Sequence, residues 1–304
     1  MFDAMIQMAA LVMCGVVWRL AAPGGQDAKI VRTALTSLVY YLLLPALVLL
    51  VLWEAPLGAD SLRISASAAS GVLLSLFLAG WLCRLCGMDR STKGAVMLAA
   101  AFPNATYLGL PVLVATLGPE ARSIAIQYDL FACMPLLLTI GIWIAVKHGS
   151  NPDNRASLSG VFKVPALWAA AIAVVMNFSG AEMPTGIRTW LQTLSNGVVP
   201  LMLISLGLSL KIDQEQFRLI RTFIPALGIK LFFMPLVAWS MAAMLGVEGM
   251  LLQGIVLEAA MPSMVIGLLL CDRYGLNSAL YAATVTVSTV MSFFTLGLWY
   301  GLVT

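Results

Sequence analysis

Ala100-Ala101-Phe102-Pro103-Asn104 and Ala259-Ala260-Met261-Pro262-Ser263 are the two runs whose reading decides how this chain folds. Each is a run of small and apolar residues ended by a proline, and each lies inside a long apolar stretch. Proline removes a backbone donor and its ring clashes with the carbonyl four residues earlier, so a helix splits or kinks there. Counted at 1.5 Å per residue, Pro103-Asn104 falls about 15 Å into a stretch at 94–117. Pro262-Ser263 falls about 20 Å into a stretch at 249–271 on the same count. Both breaks therefore sit near the middle of a bilayer, where unsatisfied backbone survives only if it lines a cavity or packs on protein.

The composition around these runs places them in a membrane. Of 304 residues, 61% are hydrophobic and only 10% are charged. A soluble domain carries about 25% charged residues. A mean hydropathy of +0.96 leaves too few polar side chains to cover a water-facing surface. Soluble enzymes, disordered tails and nucleic-acid binders are excluded on that ground, and a net charge of +3 is too small to suggest a polyanion partner. The chain reads as an all-α integral membrane protein whose surroundings are the lipid bilayer.

A helix needs roughly 20 apolar residues to cross a bilayer. Cutting the sequence at its charge, proline and glycine clusters gives ten such segments, at 3–20, 33–53, 64–84, 94–117, 123–146, 164–180, 188–210, 221–245, 249–271 and 278–302. β-Barrel strands would alternate every second residue, and runs such as Leu42–Leu52 do not. The first segment begins with Asp3 and no basic residue and is followed by no small-residue cleavage site, so it reads as a span and not a signal peptide. Basic residues alternate between the connections. Arg19, Lys29, Arg32, Arg84, Arg90, Lys93, Lys147, Arg155, Lys163, Lys211, Arg218, Arg221 and Arg273 fall on one side, against Arg63, Arg122 and Arg188 on the other. The positive-inside rule then expects a cytoplasmic middle loop and both termini outside, in the cell membrane.

Five spans per half is an odd number, so a duplicated half has to lie inverted relative to its partner. The expected organisation is a first five-helix repeat at 1–147, a cytoplasmic linker at 148–163 and a second, inverted repeat at 164–304. The matched prolines of the fourth and ninth spans carry this expectation, together with Pro45 in the second span and Pro200 in the seventh. Helices broken at equivalent places in inverted halves are the sequence sign of a secondary transporter's binding site. Half-helix N-termini at such breaks would present partial positive charge to an anion.

Ionisable residues stand at similar depth. Lys230 lies about 13 Å inside the eighth span and Glu258 about 14 Å inside the ninth, while Asp129 is about 10 Å inside the fifth. Such residues mark function by default, and an acid and a base at one depth can pair as a structural bridge instead. Asn177 and Asn196 read as interhelical hydrogen-bonding residues. No catalytic constellation emerges. His148 is the only histidine and falls in a loop, Cys83-x-x-Cys86 has no metal-binding partners, and no phosphate-binding glycine loop is present. The expectation is no enzyme, no metal and no cofactor.

These residues resemble a known family. Phe102-Pro103-Asn104-Ala105-Thr106-Tyr107-Leu108-Gly109-Leu110-Pro111 is similar to the fourth-helix signature of the auxin efflux carrier family. Pro200-Leu201-Met202-Leu203-Ile204-Ser205-Leu206-Gly207-Leu208-Ser209-Leu210 resembles its seventh-helix motif, and Lys230 followed by Pro235 resembles its eighth. Ala259-Ala260-Met261-Pro262 matches the run and proline of the ninth. The short middle loop looks like the bacterial members, and the fold is related to that of the bile acid:sodium symporters. The resemblance implies a carrier of elevator or crossover type, with helices 1, 2, 6 and 7 as a scaffold that often dimerises. Helices 3–5 and 8–10 would form the transport domain. It further implies a small carboxylate substrate bound by Pro103, Asn104, Ala105, Thr106, Tyr107, Pro262 and Ser263, with Lys230 supplying positive charge. Glu258 departs from the family pattern and is a candidate, with Asp129, for carrying a coupling ion, H+ or Na+. Sodium-coupled relatives use more acidic and hydroxyl ligands at the crossover than this sequence displays. The competing class is a membrane sensor that binds a small molecule without moving it; the chain carries no output domain.

Overall fold

A computed structural model describes residues 2–150, 164–209 and 220–304. The centre of the middle loop, with Arg155 and Lys163, and the basic residues Lys211 and Arg218 lie outside the described residues. The described chain is helical throughout. Its helices are α1 (Phe2–Ala21), α2 (Ala28–Glu54), α3 (Ala59–Leu85), α4 (Arg90–Ala101), α5 (Ala105–Leu117) and α6 (Pro119–His148). They continue with α7 (Pro165–Phe178), α8 (Thr185–Leu208), α9 (Ile224–Met244), α10 (Gly249–Ala259), α11 (Gly267–Tyr274) and α12 (Ser278–Val303). Among the described residues α2, α3, α6, α8, α9 and α12 are long and apolar enough to cross a membrane, and α5, α7, α10 and the apolar part of α1 are shorter apolar helices.

Several helices begin ahead of the expected apolar run. At α2 the Asp27 carboxylate accepts from Lys29 N at 2.7 Å, and at α4 the Asp89 carboxylate accepts from Thr92 N at 3.0 Å. Asn277 caps α12 likewise, accepting from Leu280 N at 3.0 Å, although that helix starts at the expected residue, Ser278. A side-chain cap satisfies donors that a helix start leaves open, so the helix forms before its apolar face does. Hydrogen bonds from Thr92 hold the Asp89 carboxyl below the usual carboxylate range.

Proline leaves a second mark. Four widened π turns, Val39–Leu43, Ala105–Gly109, Asp129–Cys133 and Ile229–Phe233, stand two residues before Pro45, Pro111, Pro135 and Pro235. The proline cannot donate to the carbonyl four residues back and its ring crowds that carbonyl. Widening the turn lets the residue just before the proline reach five back instead: Met134 N donates to Asp129 O, and Met234 N to Ile229 O. Asp129 and Lys230 both ride on these turns. Pro200 needs no such device, because it lies in the first turn of the helical segment Val198–Ser209.

The helices gather into two compact units. The first unit holds α1, α2, α7, α8, nearly all of α5 and the start of α6 to Ile126. Within it α1 lies along α8 and α7 along α2. Asn177 Nδ2 reaches the carbonyls of Leu52, Trp53 and Ala55 at 2.7–3.1 Å, closing the C-terminal end of α2 as an interhelical bond. Asn196 instead accepts from Gln192 on its own helix at 2.8 Å, so among the described residues its side chain bonds within one helix and not between helices. Glu54 and Arg188 form an exposed ion pair.

Gly15 and Gly207 let α1 and α8 meet backbone to backbone. A Cβ added at Gly207 would collide with the Val12 carbonyl and stand 2.9 Å from Gly15 Cα, with no flexible side chain to yield. Small residues at such crossings are how membrane helices approach closely. Gly207→Ala is expected to destabilise the protein by about 1–3 kcal/mol through overpacking, read as a lowered melting temperature. An unchanged melting temperature would mean that α1 and α8 do not pack this way.

The second unit holds α3, α4, α6 from Gln127, α9, α10, α11 and α12. In it α9 packs on α10, α12 packs on α4, α10 and α11, and the end of α6 packs on α4. Phe102, at the end of α4, is fully buried against Gly141 of α6.

Candidate functional site

Both broken runs belong to the second unit and meet each other. Asn104 N donates to Pro262 O at 2.8 Å, and Met264 N donates to Phe102 O at 2.9 Å. These reciprocal bonds make an isolated antiparallel bridge at Pro103 and Ser263, with no strand on either side among the described residues. Two extended segments therefore cross where α4 and α10 end.

The remaining backbone groups at the crossing are satisfied by exchange. Pro103 cannot donate to Ala99 O, and the Ser263 hydroxyl takes its place at 2.7 Å. Pro262 cannot donate to Glu258 O, which accepts from Met261 N at 3.2 Å in a tightened turn. The Ser263 amide, which in an unbroken helix would serve Ala259 O, turns to the Ser288 hydroxyl at 3.2 Å. That leaves Ala259 O without a backbone donor, and Lys230 Nζ supplies one at 2.7 Å. The Tyr281 hydroxyl donates to Met264 O at 2.7 Å and secures the far side of the break.

Lys230 is fully buried. Its ammonium has three protons, and it donates to Ala259 O and, at 2.9 Å, to the weak acceptor Met234 Sδ. The cation stands at the C-terminal end of α10, where the helix dipole is negative. The resemblance makes Lys230 a positive charge added to half-helix N-termini; the ammonium instead binds a helix C-terminus, because that is where the break strands a carbonyl. Its position on α9 is fixed by the turn Ile229–Phe233 and by Trp299 Nε1, which donates at 2.8 Å to Leu231 O, the carbonyl that Pro235 cannot serve.

Glu258 is also fully buried, and both carboxyl oxygens lack a hydrogen-bond partner among the described residues. It forms no ion pair with Lys230 there, although Lys230 and Asp129 are near enough for Glu258 to feel their charges. Tyr128, on α6 one residue before Asp129, is fully buried with its hydroxyl unpartnered. Asn104 is 1% exposed, and neither atom of its side-chain amide has a partner among the described residues. Native interiors hold few such groups, and Asn104, Tyr128 and Glu258 all belong to the second unit.

The other expected residues divide. Pro103, Ala105, Pro262 and Ser263 are buried at the crossing, and the Ser263 donors are spent on the backbone just described. Thr106 and Tyr107 follow on the turn Ala105–Gly109, are partly exposed and group with the first unit. Tyr281, Ser288 and Trp299 of α12 were missed by sequence reading. The signal was there: Tyr281, Thr284, Ser288, Ser292 and Thr295 recur at helical spacing on a buried face. Among the described residues no group of histidine, cysteine and acidic side chains could hold a metal ion.

Comparison with known proteins supplies the family. The membrane transport protein family matches residues 10–159 and 154–300. The chain is 29% identical to an uncharacterized transporter of Methanothermobacter thermautotrophicus, over 98% of this chain and 96% of that protein. It is 25% identical to an uncharacterized transporter of Methanocaldococcus jannaschii, over 87% of each. With matches running from residue 10 to residue 300, this multi-pass membrane chain belongs to the membrane transport protein family, the auxin efflux carriers that its broken-helix motifs resemble.

Proposed function

We propose that the protein is a secondary carrier that moves small organic anions, carboxylates including auxin-like acids, by alternating access of the elevator type. The observation that carries the reading is the crossing itself: two broken segments hydrogen-bonded to each other at Asn104 and Pro262, with a buried ammonium beside them. Lys230 keeps a donor beyond Ala259 O and the weakly accepting thioether, and a carboxylate is the ligand that such a donor and the unpartnered Asn104 amide would take. The six long apolar helices and the shorter ones fit ten spans in two inverted repeats. The compactness of α3, α4, α9, α10, α11 and α12 with most of α6 supports treating them as the moving part, with α1, α2, α7 and α8 as scaffold and dimer contact.

The test is uptake of labelled succinate, benzoate and indole-3-acetate into proteoliposomes, with protein-free liposomes correcting for passive entry of the neutral acids. Accumulation above that background supports a carrier. Saturable binding without accumulation would favour the sensor instead.

The proposed topology places both termini outside and the middle loop in the cytoplasm. A reporter fused after Thr304 is expected to report the outside, and one inserted within Ser150–Arg155 the cytoplasm. A cytoplasmic C-terminus would overturn the ten-span reading.

A further inference from the structure

We propose that Glu258 is the proton-binding site of this carrier, holding a proton in the conformation described and exchanging it in the transport cycle. The inference rests on the carrier reading and deepens it by naming the coupled ion. Glu258 lies at the end of α10, four residues before the crossing proline, and has no exposed surface. An ionised carboxylate in such a place needs donors or a paired cation. Neither carboxyl oxygen receives a hydrogen bond from the described residues. The one cation within reach among them, Lys230, is turned to Ala259 O and Met234 Sδ. The groups of α6 within electrostatic reach of Glu258 are Asp129, an acid that cannot neutralise a carboxylate, and Tyr128, whose hydroxyl makes no bond to it. Cys133 stands on the same face of α6, within reach of the charges of Asp129, Glu258 and Lys230. A bound proton neutralises the carboxyl where neither a hydrogen-bond donor nor a paired cation of the described residues does so.

The consequence for transport is a linkage. Protonating Glu258 raises the local charge by one unit beside the ammonium proposed to hold the anion, so the proton and the anion favour each other's binding by the same factor. The O–H bond forms with a proton taken from water on the side of higher proton activity. It breaks on the other side, where the proton returns to water as the anion leaves. Apparent anion affinity is expected to fall as pH rises through the titration of Glu258.

Infrared spectroscopy of the full chain in lipid, in sodium-free potassium buffer near neutral pH, tests the site without any substrate. The expected result is the carbonyl band of a protonated carboxylic acid, lost in Glu258→Gln and kept in Asp129→Asn. A wild-type protein without that band, or a Glu258→Gln protein that keeps it undiminished, overturns the proposal. So does conversion of the band to carboxylate when sodium is added, since the site would then bind a cation and not a proton. In proteoliposomes, an acidic exterior should raise wild-type uptake of labelled succinate, benzoate or indole-3-acetate, whichever is carried. Glu258→Gln should lose that response, and an unaltered response in that variant would overturn the proposal. Absence of any uptake by the wild type would count against the carrier reading alone, because the infrared band is measured without it.

Discussion

Lys230→Ala is expected to reduce carboxylate uptake to the level of protein-free liposomes and to lower the melting temperature. Two losses combine. The Ala259 carbonyl at the broken end of α10 is left without its donor, which costs about 1–3 kcal/mol for a buried polar group. The cation proposed to hold the substrate is removed at the same time. Lys230→Arg should restore part of both, because guanidinium can donate to the carbonyl and to an anion, though its planar fork fits a single carbonyl less well. The structure also fixes the expectation for the double variant. Since Glu258 and Lys230 form no ion pair among the described residues, Lys230→Ala combined with Glu258→Gln should not recover uptake. A stable double variant with full transport would show that Lys230 serves only to balance charge. Uptake and melting curves of the two single variants and the double variant decide the matter.

The apolar helices were legible in the sequence, six of them long enough to cross, because a bilayer sets the length of an apolar run and proline marks a break wherever it falls in one. Pro103 and Pro262 therefore mark the two breaks, while their crossing is what the family resemblance implies. What the sequence did not display is where the stranded backbone groups go. Ser263 reads as a ligand by its position after a proline, yet its hydroxyl closes the gap that Pro103 leaves 164 residues away at Ala99. Lys230 reads as an anion-binding charge beside helix N-termini, yet its nearest strong acceptor is a carbonyl of the next broken helix, 29 residues on. Pairings at such separations are set by tertiary register, and no local pattern encodes them. Residues on α12 escaped notice for another reason. The helix carries no Asp, Glu, Lys or Arg, so a search for intramembrane charge passes over Tyr281, Ser288 and Trp299, which hold the break and the turn of α9.

Asn104→Ala separates folding from function more sharply than any other single change in the crossing. The backbone of Asn104 is structural: its N–H donates to Pro262 O and half of the bridge depends on it. An alanine keeps that N–H. The side chain, in contrast, is buried with both polar atoms unpartnered among the described residues, so it contributes no hydrogen bond to the fold they make. Deleting an unsatisfied buried amide relieves a desolvation cost of about 1–3 kcal/mol, set against the small cavity left by its removal. The melting temperature is therefore expected to stay level or rise slightly. Transport should nevertheless be lost, because an amide kept dry and unsatisfied at a proposed binding crossover is explained by a ligand that satisfies it. Asn104→Asp would test the sign of the charge at the same place, since a second acid there should repel an anionic substrate where an amide attracts it. Uptake of the labelled acids and melting curves of Asn104→Ala, measured on the same preparations, distinguish a ligand-binding amide from a bystander. Normal uptake by a folded Asn104→Ala protein would place the substrate away from this crossing and remove the central support for an anion carrier built around it.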